Sequence, residues 1–214
     1  MPDSEAKVFI VDDDPAVRDS LQWLIESVDI SVQSFACGAD FLESGALEEF
    51  GCVVLDIRMP GMSGIDVFEE MTRRQSVLPT IFLTGHGDVH LAVRAMKYGA
   101  FDFIEKPFND QSLLDLIQQA IRSDRARRKE RRQVSEITER MNNLSVRERE
   151  VLDGVVDGNS NRIIASTLNL SEKTVEFHRS KMMDKMAAAT LADLIRMITL
   201  VKRAGALETN GARG

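Results

Sequence analysis

The sequence contains few cysteines and lacks long hydrophobic runs. Its two cysteines, Cys37 and Cys52, fit no metal or redox spacing, and they make a disulfide framework an unlikely basis for the fold. No stretch reaches the roughly 18 apolar residues of a membrane span, and no basic-apolar leader opens the chain. We therefore expect a soluble cytoplasmic protein with no membrane partner. The hydrophobic fraction of 43% allows one large or two small packed domains in 214 residues.

Basic residues are scarce in the first half of the chain. Residues 1–121 contain 21 acidic and 8 basic residues, a net charge of −13, whereas residues 122–214 carry +6. An acidic half joined to a basic half indicates a metal-binding or regulatory unit fused to a nucleic-acid-binding unit. Residues 122–143 contribute +4 of the positive charge and residues 144–214 only +2, so charge alone is weak support for DNA binding.

Four short apolar runs each lead into a polar residue suited to phosphoryl chemistry. These residues are Asp12, Asp56, Thr84 and Lys106. Runs that are apolar on both faces are typical of buried parallel strands, and ligands bind beyond the carboxyl ends of such strands. We therefore expect the four side chains to meet at one edge of a sheet. Five strand–helix repeats predict a doubly wound α/β domain over residues 6–121.

The carboxylates at this edge predict a cation site. Adjacent carboxylates repel each other, so their ionisation is favoured by a divalent cation such as Mg²⁺ or Mn²⁺. Asp13 and Asp56 are the predicted side-chain ligands, and the backbone carbonyl of Arg58 is the third. Asp12 is expected to lie just outside the ligand set, and Asp14 to cap the following helix.

The same edge predicts a phosphoryl acceptor. A carboxylate held beside a cation can act as a nucleophile and form an acyl phosphate. Asp56 is the better candidate, because a central strand would present it at the middle of the pocket. Lys106 would pair with the phosphoryl oxygens, and the Thr84 hydroxyl would donate a hydrogen bond to them.

The second half of the chain is predicted to be helical, apart from its last residues. Residues 122–143, without glycine or proline, predict a solvated helical linker, and residues 144–204 predict four helices. Small and polar residues over 205–214 predict a disordered tail. An apolar spacing within and after the linker permits a short coiled-coil seam of Val134, Ile137, Met141 and Leu144.

The first half closely resembles the receiver domain of two-component response regulators. The resemblance is carried by Asp12-Asp13, Asp56 before Met59-Pro60-Gly61, Thr84, and Lys106-Pro107-Phe108. It implies the strand order 2-1-3-4-5, phosphorylation of Asp56 by a sensor histidine kinase with Mg²⁺, and a cis Lys106–Pro107 bond. Phe103 stands at the position of the family's switch aromatic, although a core strand residue is an equally serious interpretation.

The C-terminal part resembles the helix-turn-helix domain of LuxR/NarL/FixJ-type regulators. The matching segments are Leu144–Leu152, Asn161–Leu168 and Ser171–His178. Together the two halves resemble a FixJ-type regulator. The resemblance implies a protein that dimerises on phosphorylation, binds promoter DNA, works with RNA polymerase, and activates transcription.

The third matching segment begins the predicted recognition helix. At 100° per residue, Val175, Met182 and Met186 share one face and predict the side that packs inward. The residues predicted to contact base edges are Glu176, Phe177 and Ser180. The residues predicted to contact phosphates are Lys173, Thr174, Arg179 and Lys181.

Two other interpretations remain open from the sequence. Asp12-x-Asp14 imitates the start of the haloacid-dehalogenase motif, which would make the chain a phosphotransferase with Asp12 as nucleophile. Ala16 stands where that family has threonine or valine, and the helix-turn-helix half is left unexplained. Alternatively, the receiver acts through protein contacts alone, with the C-terminal helices as an interaction module.

Overall fold

Five strands and nine helices make up the part of the chain that the structure describes. The structure is a computed structural model, and it describes residues 5–85 and 89–211. The strands are β1 (Lys7–Val11), β2 (Ser31–Phe35), β3 (Gly51–Asp56), β4 (Thr80–Thr84) and β5 (Asp102–Glu105). The helices are α1 (Pro15–Glu26), α2 (Gly38–Glu43), α3 (Gly64–Arg73), α4 (Val89–Lys97), α5 (Asp110–Asn142), α6 (Val146–Val156), α7 (Asn161–Leu168), α8 (Glu172–Met186) and α9 (Leu191–Gly211). A 3₁₀ turn over Ala46–Glu48 precedes β3.

The chain divides into two compact units. The N-terminal unit ends at Arg128, and the C-terminal unit begins at Lys129. The N-terminal unit holds a parallel sheet in the order β2-β1-β3-β4-β5, which confirms the predicted doubly wound α/β fold. No helix in the described ranges is both long and apolar enough to cross a membrane.

Alternate residues of the strands build two separate cores, one on each side of the sheet. Phe9 and Val11 of β1 pack on one side, in a cluster that includes Phe41 of α2 and Val67 of α3. Val8 and Ile10 point to the other side, in a cluster with residues of α1 and α5. Because successive strand side chains face opposite ways, a strand that is apolar throughout must be covered on both faces. The sheet is therefore central, and its strand ends are positioned by two packed layers.

The C-terminal unit is held together by one apolar cluster of its four helices. Val151 and Leu152 of α6, Ile164 of α7 and Leu194 of α9 are buried in it. Ser145 caps α6 with a reciprocal capping box, in which Glu148 Oε2 accepts from the Ser145 backbone N–H at 2.7 Å.

The predicted solvated helical linker differs from the structure at Asp124. Residues 122–142 continue α5 without a break, and Asp124 is fully buried in the N-terminal unit. Its carboxylate accepts from the backbone N–H of Gly51 at 3.0 Å and from Arg128 Nε at 2.7 Å. Arg128 also donates to the carbonyls of Glu48 (2.7 Å) and Glu49. These four hydrogen bonds, here named the α5 clamp, hold the helix against the start of β3.

The proposed coiled-coil seam and the disordered tail also differ from the structure. Ile137 and Leu144 are buried in the apolar core of the C-terminal unit, and Met141 packs against this core. These three residues therefore pack within their own unit and do not form an exposed coiled-coil seam. Residues 205–211 continue α9, and residues 212–214 of the predicted tail lie outside the described part of the chain. The stretch 205–211 has no proline that would end a helix.

The capping glutamate of α6 predicts a pH-dependent stability. A hydrogen bond from Lys185 (2.7 Å), together with the bond from the Ser145 backbone, lowers the pKa of Glu148 from 4.5 to about 2. A carboxylate with a lowered pKa stabilises the fold above its ordinary pKa, and this contribution is lost as the pH falls from 4.5 toward 2. Glu148→Gln should therefore destabilise the C-terminal unit by about 1–2 kcal/mol at pH 7 and by progressively less on acidification.

Hydrogen exchange of the α6 and α8 amides in the full chain measures this change. Glu150→Gln is the matched control, because Glu150 pairs with Arg147 on the surface, where an ion pair contributes little. Equal protection of parent and Glu148→Gln at pH 7 would contradict the role assigned to Glu148.

Candidate functional site

The carboxyl ends of the central strands bring the predicted pocket residues together. Asp12 follows β1, Asp56 ends β3, Thr84 ends β4, and Lys106 follows β5. Asp12, Asp56 and Thr84 are buried. The β1–β3 and β3–β4 pairs place neighbouring strand ends side by side, which is why residues far apart in sequence meet here.

A single ammonium group bridges the two buried carboxylates. Lys106 Nζ donates to Asp56 Oδ1 at 2.6 Å and to Asp12 Oδ2 at 2.9 Å. The second oxygen of each carboxylate accepts from a backbone N–H, that of Arg58 for Asp56 (2.7 Å) and that of Asp14 for Asp12 (2.9 Å). Both carboxylates are thereby fixed in orientation before any ligand binds.

This pocket holds two carboxylates, Asp12 and Asp56, and the single ammonium group that bonds to them both, that of Lys106. Burial raises the pKa of Asp56, and the neighbouring Asp12 adds to this, while the hydrogen bond from Lys106 opposes it. Burial works to lower the pKa of Lys106, but its bonds to Asp56 and Asp12 outweigh this and raise it. Lys106 therefore remains an ammonium at neutral pH, and ionised Asp56 is held at a cost that a further cation would relieve.

The oxygen atoms at the edge fit a hard divalent cation. Asp13 is exposed, and no hydrogen bond or ion pair engages its carboxylate within the described chain. Among the described residues no three His, Cys, Asp or Glu side chains are grouped closely enough to hold a metal by themselves. Mg²⁺ in proteins is commonly held by one or two carboxylates together with several waters. Asp14 caps α1, as predicted, by accepting from the Ala16 backbone N–H at 2.9 Å.

Thr84 and Phe103 are directed toward β5 and the core. The Thr84 hydroxyl donates to the carbonyl of Ile104 at 3.3 Å. Phe103 is half-buried and packs against the cluster that contains Phe9 and Phe82. In this structure it therefore has the position of a core strand residue. The Lys106–Pro107 peptide bond is cis, as the resemblance implies.

Sequence reasoning missed two residues that shape the pocket. The half-buried Arg18 of α1 donates from Nη1 to the carbonyl of Asp12 at 2.7 Å and so braces the β1–α1 loop. Gly64 begins α3 directly against the end of β3, where a Cβ atom would lie 2.1 Å from the carbonyl oxygen of Asp56. The position of Arg18 four residues after the capping Asp14, on the first turn of α1, was the available signal for it.

In the C-terminal unit, α7 and α8 form a helix-turn-helix. Ser160 caps α7, and Ser171 caps α8 by accepting from the Thr174 backbone N–H at 3.1 Å. Asn169 joins the two helices in the left-handed conformation, which asparagine adopts more readily than most residues. These polar residues fix where each helix begins and ends.

The faces of α8 divide as the periodicity predicts. Val175, Met182 and Met186 are completely buried. Of the predicted DNA contacts, the exposed ones are Lys173, Glu176, Phe177, Ser180 and Lys181. Phe177 is 59% exposed, which is unusual for a phenylalanine on a small helix.

Two of the predicted phosphate contacts have partners within the protein. The Thr174 hydroxyl is hydrogen-bonded to the Ser171 hydroxyl at 2.8 Å. Arg179 Nη1 donates to Asn161 Oδ1 at 3.0 Å, which connects α8 to the start of α7. Both side chains are thus oriented by the helix-turn-helix itself.

Comparison with known families assigns both units. Residues 8–118 match the response regulator receiver domain. Residues 142–198 match the bacterial regulatory proteins of the luxR family.

Relatives of the whole chain are transcriptional regulators. The transcriptional regulatory protein FixJ of Bradyrhizobium diazoefficiens is 43% identical over 204 residues, covering 95% of this chain and 98% of the relative. The response regulator protein TodT of Pseudomonas putida is 39% identical over 202 residues, covering 94% and 89%.

Solved structures agree with this assignment. The response regulator StyR is similar with a TM-score of 0.82 at 40% identity, covering 92% of this chain and 99% of StyR. Full-length FixJ from B. japonicum gives a TM-score of 0.58 at 41% identity, covering 92% and 98%.

The charge deficit of the pocket predicts that Asp56 destabilises the fold. Because the pKa of Asp56 is raised above 3.8, its ionised form costs the folded state stability at pH 7. Asp56→Asn should stabilise the N-terminal unit by about 1 kcal/mol at pH 7, since Lys106 keeps Asp12 as a partner. The gain should disappear below pH 3.8, where Asp56 is protonated in the folded and unfolded states.

Hydrogen exchange of the β1 and β3 amides in the full chain, measured at increasing urea concentration, reports on this unit alone. Asp66→Asn is the control of opposite sign, because Asp66 belongs to the α3 capping box and hydrogen bonds from Ser63 lower its pKa. An Asp56→Asn variant that unfolds at lower urea than the parent at pH 7 would show that Asp56 stabilises the pocket.

Proposed function

Because the chain belongs to the family of response regulators that join a receiver domain to a LuxR-type DNA-binding domain, we propose that phosphorylation of Asp56 controls its activity as a transcription factor. The observation that carries the proposal is the bridge from Lys106 to Asp12 and Asp56 at the strand ends. The same membership accounts for the helix-turn-helix, which a haloacid-dehalogenase-like phosphotransferase leaves unexplained. It also favours DNA over protein contacts as the role of the C-terminal helices.

Asp56 is the phosphoacceptor of the proposed reaction. One of its carboxylate oxygens attacks the phosphorus of a phosphohistidine on the sensor kinase, the P–N bond breaks, and the imidazole leaves with the bonding electrons and takes up a proton. The product is an acyl phosphate on Asp56. Gly64, without a side chain, lets the start of α3 pack against the Asp56 carbonyl and fixes the end of β3.

The charges around Asp56 suit an incoming phosphoryl group. Lys106 stands 2.6 Å from Asp56 and can pair with a phosphoryl oxygen while it remains near Asp12. Asp13, Asp56 and the backbone carbonyl of Arg58 would hold Mg²⁺ or Mn²⁺, with Asp12 just outside. When bound, the cation neutralises charge on the phosphoryl oxygens as they are transferred.

Binding of the phosphoryl group would also change the contacts between β4 and β5. To donate to a phosphoryl oxygen, the Thr84 hydroxyl gives up its bond to the Ile104 carbonyl, which loosens the link between the ends of β4 and β5. Phe103 pairs with Phe82 across these same strands and would repack when they shift. Phosphorylation then biases a two-state element through local charge, as other phosphate switches do.

The surface around α4 suits self-association of the phosphorylated protein. Leu91, Val93, Met96 and Tyr98 are exposed on or next to α4, so this helix carries several large apolar side chains at its surface. We propose that α4, β5 and the first part of α5 form the homodimer face of the phosphorylated protein. A dimer presents two recognition helices and gains affinity because the second half-site is bound intramolecularly.

The recognition helix α8 is proposed to read promoter DNA in the major groove. Phe177 can contact a thymine methyl group, Glu176 can accept from cytosine N4, and Ser180 can act as donor or acceptor. The phosphate contacts are Lys173, Thr174, Arg179 and Lys181. Bound at a promoter in the cytoplasm, the dimer would work with RNA polymerase and activate transcription.

The switch is tested by dimerisation in acetyl phosphate and Mg²⁺. The parent should shift from monomer to dimer in sedimentation velocity, and Asp56→Asn should remain at the sedimentation coefficient of the untreated protein, because it has no acceptor carboxylate. Asp40→Asn, which alters an exposed aspartate on α2, should behave as the parent does. Dimerisation of Asp56→Asn to the same extent as the parent would show that Asp56 is not the acceptor.

A further inference from the structure

Exposed basic residues are concentrated on α5 directly beyond the N-terminal core. Arg122, Arg125, Lys129 and Arg132 are all exposed. At 100° per residue they fall within one arc of about 80°, spaced by three or four residues along the helix. These four residues are named the basic stripe. Glu136, four residues after Arg132, is the next acidic residue on that face.

The basic stripe is not neutralised within the described parts of the protein. Some arginines of the chain do have acidic partners, such as Asp124 for Arg128 and Glu70 for Arg73. Within residues 5–85 and 89–211 no ion pair reaches any member of the stripe, and Arg125 has only a cation–π contact, 5.2 Å from the Phe50 ring centroid. The stripe therefore keeps its charge available to an external anion.

Holding these charges on one helical face has a cost. Like charges three or four residues apart on one face destabilise a helix. The α5 clamp offsets this cost, because Asp124 and Arg128 fasten the same turns to the start of β3. The clamp orders the helix and presents the stripe on its solvent side.

We propose that the basic stripe is a second DNA-binding surface, which contacts backbone phosphates outside the bases that α8 reads. The stripe spans eleven residues of helix, a rise of about 15 Å, over which one DNA strand presents roughly four phosphates. Residues 144–214, which contain the helix-turn-helix, carry only +2, with 11 basic and 9 acidic residues. The stripe adds the non-specific electrostatic attraction that this small charge leaves weak.

The position of the stripe in the chain suits this role. Twelve residues lie between Arg132 and Ser145, the cap of the first helix of the DNA-binding domain. The stripe therefore directly precedes this domain in the chain. The inference rests on the DNA-binding function, and it adds a contact that fixes affinity and salt dependence without specifying sequence.

The salt dependence of DNA binding tests the proposal on the full chain. The probe is a fluorescein-labelled duplex of about 40 base pairs of mixed sequence, titrated by anisotropy between about 50 and 200 mM KCl with acetyl phosphate and Mg²⁺ present. The charge-removing variant is Arg122→Gln/Arg125→Gln/Lys129→Gln/Arg132→Gln. The charge-preserving control is Arg122→Lys/Arg125→Lys/Arg132→Lys, and Arg73→Gln on α3 controls for charge removed elsewhere.

The charge-removing variant should lower the slope of log K against log salt by about 3 and weaken binding roughly 100-fold near 0.1 M salt. The Lys variant and Arg73→Gln should keep the parent slope. The double variant Arg122→Gln/Lys129→Gln leaves the Arg125–Phe50 contact intact. Its slope should fall by about half as much as that of the charge-removing variant. This graded loss would show that the weaker binding does not come from misfolding.

Three results would overturn the proposal. If the charge-removing variant keeps the slope of log K against log salt that the parent shows, the stripe is only solvated surface. Loss of dimer in that variant, seen by sedimentation velocity without DNA, would mean that the stripe contacts a second copy of the chain. An equal loss in the Lys variant would assign the effect to packing. A parent that does not bind the duplex at all contradicts the DNA-binding function instead.

Discussion

The sharing of one lysine ammonium between two buried carboxylates is the interaction on which the proposed function of this protein rests. Lys106 bonds to both Asp12 and Asp56, and each carboxylate is otherwise held by a backbone N–H. One ammonium cannot balance two carboxylates, so the pocket carries an excess negative charge that burial makes costly. The proposed Mg²⁺ would relieve that excess charge. In the proposed reaction Lys106 changes partners when the phosphoryl group arrives.

In the proposed function this pocket acts as a switch. The groups that would bind a phosphoryl group are already committed, Lys106 to Asp12 and Thr84 to the Ile104 carbonyl. In the proposed switch, a phosphoryl group captured at Asp56 would therefore exchange bonds between strands for bonds to phosphate. A change of this kind is useful where a second function responds to it, and the DNA-binding family of the C-terminal unit provides that function.

The sheet and the pocket were predictable because their signals are local. Apolar runs that end on Asp12, Asp56 or Thr84 specify buried strands, and parallel strands bring their ends together. The run before Lys106, predicted as buried, forms the half-buried edge strand β5 instead. The inward face of α8 followed from helical periodicity in the same way, and Val175, Met182 and Met186 are all buried.

Interactions with distant backbone groups were not predictable. Asp124 lies in a run of arginines that looks solvated, yet it is buried because the Gly51 N–H, 73 residues earlier in the chain, needs an acceptor. Arg18 escaped notice for the same reason, since its partner is a carbonyl. Ile137 and Leu144 have the spacing of a dimer seam, but periodicity does not say which surface covers an apolar face, and here it is the core of the C-terminal unit.

The most direct test of a phosphorylation-controlled transcription factor is affinity selection of genomic DNA fragments by the full chain, with and without acetyl phosphate. The phosphorylated protein should recover a discrete set of fragments that share a sequence with two related half-sites, and the untreated protein should recover far fewer of them. Recovery of the same fragments in equal yield from both samples would contradict control by phosphorylation.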